Sequence, residues 1–398
     1  MDYTTEWLNL LLRWLHVIAG IAWIGTSFYF VFVDNALERP KRREDADQGV
    51  GGELWEVHGG GFYRVQKYRV APPVLPETLH WFKWEAYTTW LSGFALMIVL
   101  YYLRADTYLV DREVADLGEG AAIALSIGLL AIAWIVYDVL ARALWRQELA
   151  LAAAVFAFVV ASAYVASQLF SGRAAYLQVG AMIGTMMAGN VLFNIIPAHR
   201  KLIAAKEAGR EPDPTPGVEA KVRSVHNNYL TLPVVLAMIS NHFPWTYGHE
   251  HGWLVLVALM VIGAWVRHFF NVRHTGRNVW AIPATAAVAT VALAFVIAPD
   301  DGGGRAGSDG GSDVSFAEVE RIVERRCASC HSDNPTLTGS APQGVTFDTP
   351  EEIAAQADRI EGQAVDSNAM PPGNVTGMTD EERELLARWI AQGASTDR

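Results

Sequence analysis

Eight apolar stretches, spaced along the first three quarters of the chain, limit this protein to a narrow set of folds. A helix that spans a bilayer needs about 20 predominantly apolar residues. Stretches of that kind lie at residues 7–33, 81–103, 119–140, 148–171, 174–197, 228–245, 252–272 and 279–298. Hydrocarbon offers no partners to backbone polar groups, which excludes open sheets and irregular segments. The pattern predicts an all-α, polytopic bundle of eight transmembrane helices in a lipid bilayer.

Two of these stretches depart from the simplest pattern. The first contains Arg13 and lacks both a basic leading region and a small-residue cleavage site, so it is interpreted as a retained helix rather than a signal peptide. The sixth is short and interrupted by Pro233, which leaves a broken or re-entrant helix open as an alternative.

The acidic charge of the chain is concentrated in its last quarter. Residues 301–398 hold 18 acidic and 8 basic residues, whereas residues 1–300 hold 24 and 23. Only 18% of the whole chain is charged, against about 25% in average soluble domains. We therefore predict a membrane domain at 1–299, a flexible Gly/Ser/Asp linker at 300–313 and a soluble domain at 314–398. No nucleic-acid partner is expected.

The only two cysteines lie in the run Cys327-Ala-Ser-Cys330-His331. Cys-x-x-Cys alone suits a redox disulfide or half of a zinc site, whereas Cys-x-x-Cys-His is the attachment signature of haem c. The two thiols would bond to the haem vinyl groups, and His331 would reach the iron. The sequence predicts one covalent haem c in a small all-α cytochrome c domain, with a disulfide beside an incidental histidine as the alternative.

Met370 is the predicted second axial ligand. It precedes Pro371 and Pro372, which cannot continue a helix and which stiffen an extended segment. A methionine opposite a histidine raises the reduction potential, which suits an electron acceptor. The alternatives are Met378 as the ligand and a core role for Met370.

Two helices are predicted in the same domain. Ser315 and Glu318 have the spacing of a capping box, so a helix begins there and ends near Arg326, just before the first cysteine. The segment 380–393 has apolar residues on one face and forms the second helix.

Basic residues divide unequally between the two sides of the predicted bundle. Nineteen lysines and arginines fall on the loops of one side and three on the loops of the other. Because cytoplasmic loops carry the excess, both termini and the cytochrome are predicted on the periplasmic face of a bacterial inner membrane. Haem c is attached on that face, so the two signals agree.

Polar side chains collect at the predicted cytoplasmic ends of the helices, where ordinary interfaces need only Lys, Arg, Trp and Tyr anchors. They include His58, His80, His226, Lys67, Lys83, Asn227 and Asn228. Taken singly, each is typical of an interface anchor, but their clustering favours a polar pocket.

Four long runs resemble the membrane-bound bacterial urate hydroxylases, which have an eight-helix membrane domain fused to a cytochrome c. The runs are HVIAGIAWIGTSFYFVFVDNAL (16–37), GELWEVHGGGFYRVQKY (52–68), LHWFKWEAYTTWLSGFALM (79–97) and HNNYLTLPVVLAMISNHFP (226–244). The resemblance covers essentially the whole chain in order. It implies oxidation of urate to 5-hydroxyisourate in purine catabolism. Electrons would pass through the haem to a respiratory acceptor, either a cytochrome c or a terminal oxidase, instead of forming peroxide.

Urate chemistry gives the polar cluster its predicted roles. Urate is a flat, electron-rich anion, and its oxidation needs a base, hydrogen-bond donors and an electron sink. The candidate bases are His80, His226 and His58, and the candidate anion-binding residues are Lys67, Lys83, Asn227 and Asn228.

Two other functions fit the same sequence. One is a non-catalytic membrane cytochrome that conducts electrons for a separate dehydrogenase, and the other is a transporter with a redox domain. The electron conduit predicts no urate turnover by the purified chain. The transporter predicts movement of its substrate across the membrane without oxidation.

A second haem, of b type, is predicted at His16, because an ionisable residue at membrane depth is functional by default. Urate yields two electrons and haem c accepts one, while a hydrocarbon core of roughly 30 Å separates the cytoplasmic cluster from the cytochrome. The run HVIAGIAWIGTSFY also resembles the first helix of membrane haem proteins of the protoporphyrinogen oxidase type, which implies the same role. Gly20 and Gly25 leave room for a porphyrin or a helix neighbour, and His242 is the candidate opposite ligand. The alternative is a neutral histidine that donates to a backbone carbonyl.

Overall fold

Long helices make up most of the protein. The computed structural model describes residues 3–298 and 314–397, so the predicted linker at 300–313 lies outside the described residues. The helices of the first part are α1 (Tyr3–Ala36), α2 (Arg43–Asp47), α3 (Trp84–Met97), α4 (Ala105–Tyr108), α5 (Glu119–Leu144), α6 (Glu148–Ser167), α7 (Gly172–Gly189), α8 (Ile196–Glu207), α9 (Thr215–Ile239), α10 (Pro244–Tyr247), α11 (Gly252–Arg273) and α12 (Ala281–Val296). π-Helical turns at Ile98–Tyr102 and Asn190–Ile195 extend α3 and join α7 to α8.

Five helices within the described residues are long and apolar enough to cross a bilayer. They are α1, α5, α6, the continuous α7–α8 segment and α11. The remaining predicted spans coincide with α3, α9 and α12, of which α3 has 14 residues before its π-helical turn and α12 has 16. Several such helices indicate a multi-pass membrane protein, and the eight-span arrangement stays a prediction.

Helix α9 continues through Pro233 without a break, so the alternative of a broken or re-entrant helix is wrong. It also begins well before the predicted start at 228, because its first turns carry charged residues that hide it from an apolar pattern. Gly263 of α11 packs against the backbone at Leu232 and Pro233. The missing side chain lets the neighbouring helix support the proline turn.

The two ends of the bundle can be told apart from the contacts of α1 with α3. His16 lies against Thr89, whereas Phe30 lies against Phe82, with ring centroids 4.9 Å apart. The two helices are therefore antiparallel. The start of α1 and the end of α3 lie at one end of the bundle, which we call the cytochrome side because the C-terminal domain packs there. The end of α1 lies at the other, the hairpin side.

An antiparallel β-hairpin follows α1, so the protein is mostly helical and not all-α as predicted. Strand β1 (Val50–His58) pairs with β2 (Gly61–Tyr68) across the turn Gly59-Gly60, where both residues have positive φ. Glycine adopts that conformation readily. The two strands have nine and eight residues, far fewer than the stretches by which the transmembrane helices are recognised.

The core of the membrane domain lies where α5, α6, α7, α9 and α11 meet. Its largest fully buried side chains include Tyr137, Phe170, Ile183 and Leu256. Much of the outer surface of the helices is apolar and exposed, as it is in helices that face lipid.

The C-terminal domain is a small helical unit with its own core. Its helices are α13 (Phe316–Arg326), α14 (Pro350–Ala355), α15 (Ala357–Ile360) and α16 (Asp380–Ala391), with a π-helical turn at Glu361–Val365 and 3-10 turns at Pro342–Gly344 and Pro372–Asn374. The capping box of Ser315 and Glu318 is present, and α13 ends at Arg326, so both predictions are confirmed. The second predicted helix, 380–393, is α16. Phe316 and Trp389 pack together in the core, with ring centroids 6.1 Å apart.

Candidate functional site

The two cysteines directly follow the end of α13. The backbone N–H groups of Cys330 and His331 donate to the carbonyl oxygen of Cys327 over 3.0 and 2.9 Å. This compact turn gathers the three residues of the signature. His331 Nδ1 lies 3.0 Å from the carbonyl oxygen of Val345, which leaves Nε2 to bind a metal. Burial lowers the pKa of His331 and so favours the neutral imidazole that coordinates iron. These residues fit a covalently bound haem.

The two methionines proposed as axial ligands lie in different environments. Met378 is 2% exposed and belongs to the core of the domain. Met370 is half-buried at the edge of that core. Its backbone N–H donates to Gln363 over 2.8 Å, and its carbonyl oxygen accepts from Arg383 over 2.9 Å. Because its backbone is held on both sides, Met370 remains the candidate ligand.

A buried polar cluster inside the bundle is organised by Asn228 on α9. Its Oδ1 accepts from Arg267 Nε over 2.9 Å and from Asn271 Nδ2 over 3.0 Å. Its Nδ2 donates to the backbone carbonyl of Ser27 over 3.3 Å. Asn228 therefore joins α1, α9 and α11 and fixes the positions of the arginine and the second asparagine. A buried arginine among apolar helices is expensive, which marks the cluster as a candidate site.

One face of α11 carries three side chains with unpaired polar atoms. Among the described residues, seven buried side-chain nitrogens and oxygens lack a hydrogen-bond partner, and three of them are Arg267 Nη2, Asn271 Oδ1 and His274 Nδ1. The spacing i, i+4, i+7 puts these residues on one side of the helix. Native proteins pair nearly all buried polar groups. This concentration of a charged donor, an acceptor and an imidazole nitrogen therefore suits a polar ligand.

Aromatic rings of α1 line the same place. The Arg267 guanidinium lies 3.8 Å from the centroid of the Phe28 ring. His274 meets Phe32 edge-on, with ring centroids 5.0 Å apart. Aromatic faces beside a cation and an amide suit a flat, anionic heterocycle. We call the site formed by Phe28, Phe32, Asn228, Arg267, Asn271 and His274 the α1–α11 site.

The environment of His274 favours its neutral form. Burial lowers the pKa of His274 below its ordinary value of 6.5, and the positive charges of Arg267 and Arg273 lower it further. A histidine that is neutral at pH 7 can accept a proton.

A second buried network lies on the other side of α9. Arg223 pairs with Asp138 over 2.8 Å and donates to Asn190 over 2.9 Å. Asn190 donates to Asn227 over 2.9 Å, and Asn227 donates to the Met187 carbonyl over 3.0 Å. Every side-chain polar group of the two asparagines is thus satisfied by protein. The network holds the π-helical turn against α9, and Asn227 has no free group for a ligand.

The structure gives the three candidate bases different surroundings and does not bring them together. His58 is exposed at the hairpin turn. His80 is exposed and lines a pocket of about 270 Å³ beside Trp81 and His199. His226 is half-buried, with Nδ1 3.2 Å from the Tyr137 hydroxyl.

The two candidate lysines lie at the hairpin-side surface. Lys67 on β2 forms an ion pair with Asp34 at the end of α1. The Lys83 ammonium lies over the rings of Trp81 and Trp84, 5.5 Å from each centroid. These contacts are typical of anchors at a membrane interface. The two lysines place positive charge near the end of α1, on the hairpin side.

His16 is held against α3 by its Nδ1 atom. That atom lies 2.9 Å from the Thr89 carbonyl oxygen and 3.2 Å from Ser92 Oγ. The ring packs so closely on Gly93 that a Cβ there would lie 2.7 Å from Cε1. This contact fits the predicted alternative, a neutral histidine that donates to a backbone carbonyl. It also fits a haem ligand, because a metal-binding histidine is commonly oriented through Nδ1 while Nε2 binds the metal. His242 is exposed in a 3-10 turn after α9.

The matches with known families cover both parts of the chain. Residues 2–298 match the family described as urate oxidase N-terminal. The chain belongs to this family. Residues 314–390 match the family described as cytochrome C oxidase, cbb3-type, subunit III. A urate oxidase N-terminal domain is therefore fused to a cbb3-type cytochrome c domain. Searches of curated proteins and of solved structures returned no match.

The urate oxidase domain contains candidate residues that the sequence prediction missed. In the sequence, Arg267 counts only as one of the basic residues that set the orientation in the membrane. Its position several residues inside an apolar helix is the signal that would have identified it as a candidate site residue. Asn271 and His274 become recognisable once α11 is known to continue to Arg273, because they then share a face with Arg267.

Proposed function

We propose that this protein is a membrane-bound urate hydroxylase that converts urate to 5-hydroxyisourate in purine catabolism and passes the electrons to haem c. The observation that carries the proposal is the unpaired pair of Arg267 Nη2 and Asn271 Oδ1 within a domain of the urate oxidase family. One atom is a charged donor and the other an acceptor. Urate presents both anionic carbonyl oxygens and ring N–H groups to such a pair.

The reaction converts urate and water to 5-hydroxyisourate with release of two protons and two electrons. Arg267 binds the anion and favours loss of a proton from it, and Asn271 orients the ring through an N–H group. Asn228 acts as a positioning residue for both, because its own polar groups are engaged. The rings of Phe28 and Phe32 keep the substrate flat against α1.

His274 is the base we propose in place of the candidates chosen from sequence. It shares a face with Arg267 and Asn271, and its lowered pKa keeps it ready to accept a proton. His80 remains the runner-up, since it lines a pocket together with His199. That pocket is mainly apolar and lacks a buried cation, so it suits a urate anion less well than the α1–α11 site.

Electron removal is the task of the haem groups. Cys327 and Cys330 would hold haem c, with His331 and Met370 as axial ligands, and this group supplies a one-electron acceptor. We further propose a haem b held by Nε2 of His16. Along α1, Phe28 and His16 are 12 residues apart, or about 18 Å at 1.5 Å per residue, so this histidine lies between the α1–α11 site and the cytochrome side.

We also propose that eight helices span the bacterial inner membrane, with both termini and the cytochrome in the periplasm and the α1–α11 site toward the cytoplasm. The uneven distribution of basic residues supports this orientation. Urate would then enter from the compartment in which purines are degraded, and a respiratory one-electron carrier would meet the cytochrome outside.

The decisive experiment is the anaerobic addition of urate to the purified, oxidised protein. We expect the haem c absorbance to change to that of the reduced form, with 5-hydroxyisourate as the product. In a separate turnover experiment in air, we expect little hydrogen peroxide. A haem that stays oxidised favours an electron conduit for another enzyme. Stoichiometric peroxide means that oxygen, and not the cytochrome, is the acceptor.

A further inference from the structure

The cytochrome domain contacts the cytochrome side of the membrane domain at several separate points. Arg104, in the loop after α3, donates to the carbonyl oxygen of Leu337. Asn374 donates to Glu113 over 2.6 Å. The contacts come from two different segments of the cytochrome, on the cysteine side and on the methionine side of its haem site. Two separate contact points restrict the relative orientation of the domains more than a single point would.

Two glycines, one from each domain, allow the backbones to approach closely. A Cβ on Gly248, after α10, would overlap the carbonyl oxygen of Ser367 in the cytochrome. A Cβ on Gly373 of the cytochrome would overlap the carbonyl oxygen of Val110. Contact of this kind needs matched surfaces on both domains, since either side chain would force them apart.

The part of the cytochrome that faces the membrane domain is its haem-binding edge. Arg104 donates to the carbonyl oxygen of Leu337, and the backbone N–H of Leu337 donates over 2.8 Å to the carbonyl oxygen of Ser329, which lies between the two cysteines. Met370 lines a cleft of about 360 Å³ between the two domains, and Tyr108 and Arg173 line the same cleft from the membrane domain. Both sides of the predicted haem site thus meet the same surface.

Aromatic rings continue from this surface into the membrane domain. Tyr108 lies 6.4 Å from Tyr101, measured between ring centroids. The next residue, Tyr102, lies 6.4 Å from Phe94, which stacks on Trp90 at 5.4 Å. Thr89, the residue beside Trp90, is the hydrogen-bond partner of His16. The rings therefore follow α3 from the level of His16 to the cleft.

We propose that this docked arrangement is the electron-transfer complex of the protein, so that electrons enter haem c directly from the membrane domain through the surface formed by Arg104, Glu113 and Gly248. The inference rests on the proposed function for the source of the electrons but not for the docking itself. Each urate would supply two electrons, and a haem c held by Cys327 and Cys330 would accept them one at a time. It would pass each electron on to a one-electron carrier of the respiratory chain, which would approach the part of the cytochrome that faces away from the membrane domain.

Docking is tested without urate by a disulfide across the interface. Glu113→Cys and Asn374→Cys are combined in the full chain, with a protease site placed in 300–313. After oxidation and cleavage, the two parts should stay joined on a non-reducing gel and separate on reduction. The pair Glu113→Cys with Glu351→Cys, on α14, is the control and should not join. Separation of the first pair under non-reducing conditions would overturn the docking.

Electron transfer is tested by Gly248→Ala, with Gly120→Ala as the control because a Cβ at Gly120 meets nothing within 4 Å. In stopped-flow mixing with urate, Gly248→Ala should reduce haem c about tenfold more slowly or worse, since small misplacements of reacting groups have large effects on rate. Ascorbate should reduce the same haem at an unchanged or higher rate. Gly120→Ala should match the unmodified protein in both.

The outcomes separate this inference from the proposed function. If the disulfide forms but urate leaves the haem oxidised in the unmodified protein, the docking stands and the urate reaction is wrong. If urate reduces the haem equally fast in Gly248→Ala and the unmodified protein, the docked surface is not the electron path, and the inference is wrong.

Discussion

The side-chain Oδ1 of Asn228 accepts a hydrogen bond of 2.9 Å from Nε of Arg267, which ties α9 to α11 inside the bundle. The bond fixes one edge of the guanidinium and leaves Nη2 unpaired. A positively charged group is thereby held in a fixed orientation at low exposure, which is the preorganised arrangement that anion binding requires.

Arg267→Gln should lower kcat/KM for urate by about 10- to 100-fold, since a hydrogen bond to a charged group contributes about 1.5–3 kcal/mol. The measurement is urate-dependent reduction of haem c. Arg277→Gln, at an exposed position beyond α11, is the control and should behave like the unmodified protein. Arg267→Lys, which keeps the positive charge, should lose less activity than Arg267→Gln if that charge binds urate. Unchanged kinetics in Arg267→Gln would remove the α1–α11 site from the mechanism.

The acid limb of the pH profile should report His274. Because its pKa lies below 6.5, the neutral base persists under mildly acidic conditions, and kcat/KM should fall only as the pH drops through the lowered value. Arg273→Gln removes a nearby positive charge that opposes protonation of His274. The pKa of His274 should therefore rise, and the acid limb should move to higher pH. His274→Gln should abolish the limb together with most of the activity. A limb that does not respond to Arg273→Gln points to His80 instead, and His80→Gln is the matched variant.

Met370→Ala should keep the covalent haem and lose the weak sulfur-to-iron absorbance band of the oxidised protein. A denaturing gel stained for haem reports the first, and a visible spectrum the second. Met378→Leu, which conserves volume in the core, should keep the band. If the two variants behave the other way round, Met378 is the ligand. Cys327→Ala should weaken or abolish the stained band.

His16→Ala should remove a haem that acid acetone extracts, while the covalent haem c remains. The expected ratio of extractable to covalent haem falls from one to zero. His242→Ala, at an exposed position, tests the opposite ligand. An unmodified protein without extractable haem would show that His16 only binds the backbone of α3.

The orientation in the membrane is tested with reporter fusions. Alkaline phosphatase fused after residue 398 should be active, because it folds only outside the cytoplasm, and a fusion near residue 210 should be silent. The reverse pattern would contradict the proposed topology and the haem c assignment together.

Local features of the structure followed well from the sequence. The capping box of Ser315 and Glu318 and the end of α13 at Arg326 were predictable because each depends on residues within one or two helical turns. The hairpin at 50–68 was missed, although Gly59-Gly60 between alternating residues is a turn signal of the same local kind. The hairpin lies between two predicted spans. It was missed because elements in that part of the chain were assigned only from the length of their apolar stretches.

The candidate site followed only in part. Asn227 and Asn228 are adjacent in sequence, yet the first is saturated by Asn190 and Met187 and the second holds the candidate arginine. Adjacent residues on a helix point about 100° apart, and the sequence does not say which direction meets which neighbour. The structure therefore separates a packing residue from a positioning residue.

By itself, the sequence predicted the haem attachment at Cys327 and Cys330 and the long apolar helices of the first 298 residues. Both depend on spacing and hydrophobicity along a short length of chain. Only the tertiary structure decided that Phe28, Asn228 and Arg267 meet, because these residues are separated by up to 239 positions and approach through helix packing. Contacts between distant segments are selected by the shapes of whole helix faces, and no local pattern encodes that choice.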